Sequence, residues 1–205
     1  MTDRWRLHRG GIVNVWQYAE QTFDFSGGRA IFQGTNGSGK SRTLELLLPP
    51  ATFVDVEAAL EGAHRAESCI AEGRWAQAWG PAGIAYHVAT RPFLTGLEAP
   101  WIDRWRRRLE EVRLRGLECF AAAGLGLGGP ALAQAEERAR MLTELAPYRE
   151  SGHRILMEAL AGRGNVAEAL RAYERLRVLL REELGVAPSP AVQVVHRRLL
   201  QGAGG

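Results

Sequence analysis

The chain has 205 residues, 46% of them apolar and 24% charged, a balance that excludes a disordered or fibrous polymer and predicts a packed core. Its 26 basic side chains nearly match 23 acids, so the formal charge is only +3 and composition alone lends little support to nucleic-acid binding. No apolar run approaches the ~18 residues of a membrane span, and MTDRWRLHRGG lacks the apolar core of a signal peptide, so a cytoplasmic protein is expected.

The first elements are strands and turns. Ile12-Val13-Asn14-Val15-Trp16 and Thr22-Phe23-Asp24-Phe25 alternate or cluster apolar residues, and Ser26-Gly27-Gly28 marks a turn. Arg29 to Gln33 reads as a short strand running into Gly34. Thr43 to Leu48 reads as the start of a helix, which Pro49-Pro50 stops after about two turns. Between them lies GTNGSGKS, Gly34 to Ser41, which fits the phosphate-cradling pattern G-x-x-x-x-G-K-[ST] at every fixed position. Its Lys40 is the sole lysine beside 25 arginines.

Together with Arg4 to Arg9, Gly11 to Trp16, Phe23 to Phe25 and Leu44 to Pro49, this loop resembles the extreme N-terminus of large SMC-like ATPases, in particular those of bacterial Wadjet-type plasmid defence. The resemblance covers residues 4–49. It implies ATP and Mg²⁺ as ligands, with Gly34, Asn36, Gly37, Ser38, Gly39, Lys40, Ser41 and Arg42 as nucleotide-binding residues. Backbone N–H groups from Asn36 to Ser41 would surround the β-phosphate, Lys40 would reach the β/γ oxygens, and the Ser41 hydroxyl would ligate the metal. No other cofactor is expected.

Hydrolysis needs more than a cradle. A second strand must end in a metal-holding acid, and a further group must orient the attacking water. No later segment reads as an apolar strand ending in Asp or Glu; Val178 to Glu182 comes nearest but belongs to a helical period. A parallel sheet also needs crossovers and cover on both faces, and a core below about 60 residues is marginal. Residues 1–50 therefore read as a truncated ATPase N-terminal segment, a small β-hairpin with a P-loop, and no enzyme is expected.

After Pro50 nearly everything is helical. Val56, Leu60, Ala63 and Ile70 share one face; Leu109, Val112, Leu117 and Phe120 another. Leu132, Ala135, Ala139, Leu142 and Leu145 mark a third, and Val166, Leu170, Tyr173, Leu176 and Leu180 the longest. The i,i+4 pairs Trp75/Trp79 and Trp101/Trp105 each point one way, which suits packing between helices better than a ligand cage. Cys69 and Cys119 fall in helical patterns without metal spacing and read as reduced, buried thiols.

The helical part repeats. Trp75-Ala-Gln-Ala, Leu132-Ala-Gln-Ala and Val166-Ala-Glu-Ala are three copies of one pattern, each following a glycine: Gly73, Gly129 and Gly164. The last two copies lie 34 residues apart, and Leu142 and Leu176 keep that offset. A period of about 34 residues is the tetratricopeptide signature, with glycine at the turn and alanine where helices approach. The fold expected is mainly α, a tetratricopeptide-like helical repeat over 51–205.

More specific are Glu98-Ala99-Pro100-Trp101 leading into an Arg-rich helix, Leu145 to Glu150, His153 to Leu160, Gly164-Asn165 with Ala169 to Arg177, and the run Leu180 to Pro190. On these, residues 52–201 resemble the bacterial transcriptional activator domain of the antibiotic-regulatory (SARP/AfsR-type) proteins of actinobacteria. The resemblance implies an all-α module of transcription regulation that contacts a protein partner or neighbouring domain rather than performing catalysis. A winged-helix DNA-binding domain normally precedes that module, and the present sequence shows none. Locally, Pro147 and Pro188 stop helices, Ser151 or Ser189 can cap the next, and Gly185 suits a left-handed C-terminal position.

Arg104, Arg106, Arg107, Arg108, Arg113 and Arg115 form the densest basic cluster. Arg106–Glu110 and Arg107–Glu111 are i,i+4 pairs of a solvated helix face, each worth a few tenths of a kcal/mol. Trp101, Trp105, Arg104, Arg107 and Arg108 are the candidate interaction surface. Three readings follow: a regulatory interaction module, a nucleotide-sensing regulator using Lys40 and Ser41, and a DNA binder using Arg104 to Arg115.

Overall fold

The computed structural model describes residues 9–15, 18–24 and 55–202. The chain divides into two units, Met1–Phe53 and Val54–Gly205. In the first, β1 (Arg9–Val15) and β2 (Tyr18–Asp24) form an antiparallel ladder running from Arg9 opposite Asp24 to Val15 opposite Tyr18. The expected strand before Gly34, the Gly34–Ser41 loop and the helix from Thr43 lie outside the described residues.

In the second unit the regular structure of the described residues, 55–202, is all helical. Its helices are α1 (Asp55–Ala71), α2 (Trp75–Ala89), α3 (Pro100–Leu127), α4 (Ala131–Leu145), α5 (Glu150–Gly162), α6 (Val166–Leu184) and α7 (Pro190–Gly202). They stack as three helical hairpins, α1–α2, α3–α4 and α5–α6, with α7 packed on α5 and α6.

The turns follow from glycine. Gly73 and Gly164 sit at φ +71° and +85°, a backbone region costly for any residue with a Cβ. Each closes its helix with the same pair of bonds. Gly73 N–H donates to the Ile70 carbonyl and Arg74 N–H to that of Cys69; Gly164 N–H donates to Ala161 and Asn165 N–H to Leu160. Gly129, at φ +50°, serves the α3–α4 turn together with Gly128 at φ +68°.

Alanine sets the helix spacing. The repeated tetrapeptides open α2, α4 and α6, and their last residues, Ala78, Ala135 and Ala169, are wholly buried. A Cβ built on Gly124 would lie 3.1 Å from the Ala135 methyl, so α3 and α4 touch almost backbone to backbone there. Larger side chains fill the remaining space: Leu117, Leu142, Met157, Leu160 and Leu176 show no solvent exposure. Burying a leucine of this kind contributes about 1.5–3 kcal/mol.

Several sequence expectations change. The longest helix is α3 with 28 residues, against 19 for α6. The most deeply buried stripe of α6 is Ala169, Ala172, Leu176 and Leu180, while Val166, Leu170 and Tyr173 are half-buried, because the small residues take the closest approach. Leu145 is exposed at the end of α4. Ser151 lies within the first turn of α5 and does not cap it; the preceding Arg149 makes no side-chain cap either. Instead the Glu150 carboxylate accepts from the Ser189 N–H at 2.6 Å, tying the start of α7 to that of α5. Gly185 does close α6 in the left-handed conformation, at φ +69°.

The tryptophans divide. Trp79 meets Phe120 edge to face at 4.4 Å, and the Trp75 ring lies where a Gly126 side chain would stand. Trp101, by contrast, is 44% exposed. Cys69 and Cys119 are free, buried thiols, and burial pushes the Cys119 thiol up to about 12.

Candidate functional site

The segment joining α2 to α3 carries Pro92 and Gly96 and ends against Pro100, the first residue of α3, which together deny it a helical period. Its leucines therefore have no face to bury, and Leu94 and Leu97 remain exposed. Leu94 has φ +47°, unusual for a residue with a branched side chain, and Gly96 has φ +79°. One side chain holds this path. Arg106 donates from Nε to the Phe93 carbonyl at 3.3 Å, and from Nη2 to those of Leu94 at 2.9 Å and Leu97 at 3.0 Å.

The first turns of α3 complete the surface. Trp101, Arg104, Trp105 and Arg108 fall at i, i+3, i+4 and i+7, one face of the helix. Ile102 and Leu109 point into the core instead. Trp105 is half-buried, tilted against Phe93 with ring centres 6.4 Å apart, and the Arg108 guanidinium stands 5.0 Å over its ring. That cation–π contact holds exposed Arg108 over Trp105, on the helix face it shares with Trp101.

The basic cluster from Arg104 to Arg115 does not form one stripe. Arg113 pairs with Glu110 at 3.1 Å, and Arg115 grips Glu67 of α1 with both carboxylate oxygens at 2.6 Å. Arg106–Glu110 and Arg107–Glu111 do not form. Arg106 is drawn to the loop carbonyls and to Asp103, and Glu111 turns to Arg149 at 2.6 Å. Cross-element partners outcompete the helix's own spacing because they satisfy otherwise lone carbonyls and carboxylates. Among the described residues, Arg104, Arg107 and Arg108 are left without a carboxylate partner.

Candidates of other kinds find no counterpart here. No group of three or more His, Cys, Asp or Glu side chains is placed to hold a metal among the described residues. The buried His153 is a packing residue: its Nε2 lies 2.9 Å from the Pro147 carbonyl, and burial lowers its pKa. Gly34, Asn36, Gly37, Ser38, Gly39, Lys40, Ser41 and Arg42 lie outside the described residues. Sequence reasoning missed Leu94, Leu97 and the anchoring role of Arg106. Two leucines confined between Pro92 and Pro100, in a stretch that Gly96 interrupts and that is too short for a helix to bury them, were the available signal.

Residues 54–200 match the family model of the bacterial transcriptional activator domain. The chain is 41% identical over 108 residues to the regulatory protein AfsR of Streptomyces griseus and 42% identical over 108 residues to that of Streptomyces coelicolor. These matches take in 53% of this chain and 11% of each relative. It is 34% identical over 142 residues to the regulatory protein DnrI of Streptomyces peucetius, covering 67% of this chain and 48% of that one. The chain thus spans at most about half the length of these relatives. Among solved structures, Mycobacterium tuberculosis EmbR in complex with a low affinity phosphopeptide superposes with a TM-score of 0.66 at 23% identity, over 77% of this chain and 41% of EmbR, so the two share a fold.

Proposed function

The chain belongs to the bacterial transcriptional activator domain family, and we propose that its helical unit, residues 51–205, is a protein-interaction module of cytoplasmic transcription regulation, of the SARP/AfsR class. The relatives are regulatory proteins. The observation that carries the reading is the surface at the start of α3, where Leu94 and Leu97 are exposed on a loop fixed by Arg106 and exposed Trp101 shares its helix face with Arg104 and Arg108. Apolar groups held out in water by a rigid frame are what a protein partner buries.

The test is to tether residues 51–205 to a promoter through an unrelated DNA-binding domain in an actinobacterial host. Reporter output should change, and Trp101→Ala should reverse the change. A reporter indifferent to the tethered module would sink the reading.

A second reading rests on one sequence observation, the complete GTNGSGKS motif. In it, ATP and Mg²⁺ at Lys40 and Ser41 would order a segment, residues 1–50, that we otherwise take as a truncated, catalytically inactive ATPase N-terminus. The DNA-binding reading is weakened, since Arg106, Arg113 and Arg115 are engaged within the protein.

A further inference from the structure

We propose that the Leu94–Leu97–Trp101 surface docks an acidic amphipathic segment of a protein partner, in which carboxylates flank leucine or aromatic anchors. This rests on the interaction-module reading and specifies its partner. Between Thr90 and Arg108 the chain carries five arginines against two acids, so this short stretch holds an excess equal to the formal +3 of the entire chain. Two of the charges are already neutralised within the stretch, where Arg106 faces Asp103 at 3.3 Å, and Arg91 pairs with Asp55 of α1 at 3.9 Å. Among the described residues, Arg104, Arg107 and Arg108 have no such acid.

The apolar part decides which polyanion fits. Leu97 is 55% exposed, Trp101 44% and Leu94 39%, an apolar floor supplied by one loop and the first turn of α3, and Trp101 shares its helix face with Arg104 and Arg108. Duplex DNA presents phosphates but nothing apolar to fill such a floor, and its backbone is met by cations in series. An amphipathic peptide presents both, with carboxylates suited to guanidinium forks and side chains for the floor. Tryptophan and arginine are also the side chains most often found to dominate interfaces. The surface is preorganised, because Arg106 already holds the loop backbone at three carbonyls.

Fluorescence anisotropy tests this with a labelled peptide in which glutamates alternate with leucines and phenylalanines at helical spacing. The controls are the same peptide with every glutamate changed to glutamine, and a labelled DNA duplex. The full chain should bind the acidic peptide, and binding should weaken with added salt. Trp101→Ala and the pair Arg104→Glu with Arg108→Glu should each reduce affinity about tenfold or more. Arg171→Glu, on the exposed face of α6, should not. Circular dichroism of each variant separates lost binding from lost fold, and Arg108→Glu alone serves if the pair unfolds. Equal binding of acidic and glutamine peptides, or tighter binding of the duplex at the same residues, overturns the proposal. If the tethered module still changes reporter output through Trp101 while the acidic peptide fails to bind, the partner chemistry is wrong and the module reading stands. If the reporter is indifferent, the module reading itself falls.

Discussion

Arg106 donates a 2.9 Å hydrogen bond to the carbonyl of Leu94, twelve residues earlier, and so fixes the one non-glycine residue with positive φ among the described residues. A left-handed leucine costs about 1–2 kcal/mol and persists only where its surroundings enforce it. Removing the guanidinium should therefore release the loop rather than unfold the stack. For Arg106→Gln, hydrogen exchange should rise at residues 93–98, with a global loss of roughly 1–2 kcal/mol. Unchanged protection there would show that the loop holds itself.

Gly116 and Gly83 should respond in opposite directions to alanine. A Cβ at Gly116 would stand 2.7 Å from the Tyr86 backbone nitrogen and 3.0 Å from the Ala85 methyl, so α2 and α3 would have to separate. Overpacking of this kind costs about 1–3 kcal/mol. At Gly83 the nearest atoms are the Phe120 ring at 3.9 Å, an ordinary contact. There the gain in helix propensity of about 0.5–1 kcal/mol should prevail. Urea melts of Gly116→Ala and Gly83→Ala check both signs.

These cases show which features the sequence made legible. The hairpin turns were readable because their causes are local: Gly73 and Gly164 each close a helix with bonds confined to a few neighbouring residues. Ala135 and Ala169 were readable because a repeated small residue marks close approach wherever it recurs. Arg106 was not. Its spacing to Glu110 is ideal on an isolated helix, and only the tertiary path of the preceding loop offers it three carbonyls. Leu94 and Leu97 escaped for a related reason, since periodicity speaks for residues of a regular element and these lie in a loop. Glu110 keeps to its own helix and pairs with Arg113, whereas the fold brings Arg149 to Glu111.

The two-pronged pair between Arg115 and Glu67 predicts a pH dependence. The Arg115 hydrogen bonds hold the Glu67 carboxyl below the ordinary carboxylate range. A depressed folded pKa means stability present above the unfolded value and lost as pH falls through the folded one. Glu67 is 40% exposed, so solvent screening limits the pair to about 1 kcal/mol. Arg115→Met should thus be less stable than wild type at neutral pH, and the gap should close as pH falls through and below the carboxylate range. Melts across that range measure it, and a constant gap would assign the loss to packing.

Cys119 should resist alkylation. Burial pushes its thiol up to about 12, which leaves almost no thiolate near neutral pH, and its side chain is shielded between helices. Iodoacetamide should label it only after denaturant is added, as read by mass spectrometry of the peptide carrying it. Rapid labelling of native protein would mean that α3 opens locally.

Lys40→Ala settles the meaning of the GTNGSGKS loop. A P-loop alone provides backbone donors and one ammonium for phosphate oxygens, whereas turnover also demands a metal-holding acid and an oriented water. Residues 55–202 are helical wherever they are regular, so they supply no strand to end in such an acid. We therefore expect no phosphate release from ATP and no change in melting temperature on adding Mg·ATP to either wild type or Lys40→Ala. A ligand at a hundred times its dissociation constant stabilises by about 2.7 kcal/mol, equivalent to a rise of several degrees for a chain of this size. Such a rise in wild type, absent from Lys40→Ala, would make the loop a working nucleotide site. A rise common to both would place ATP on another surface, where the arginines Arg104, Arg107 and Arg108 are the first to substitute.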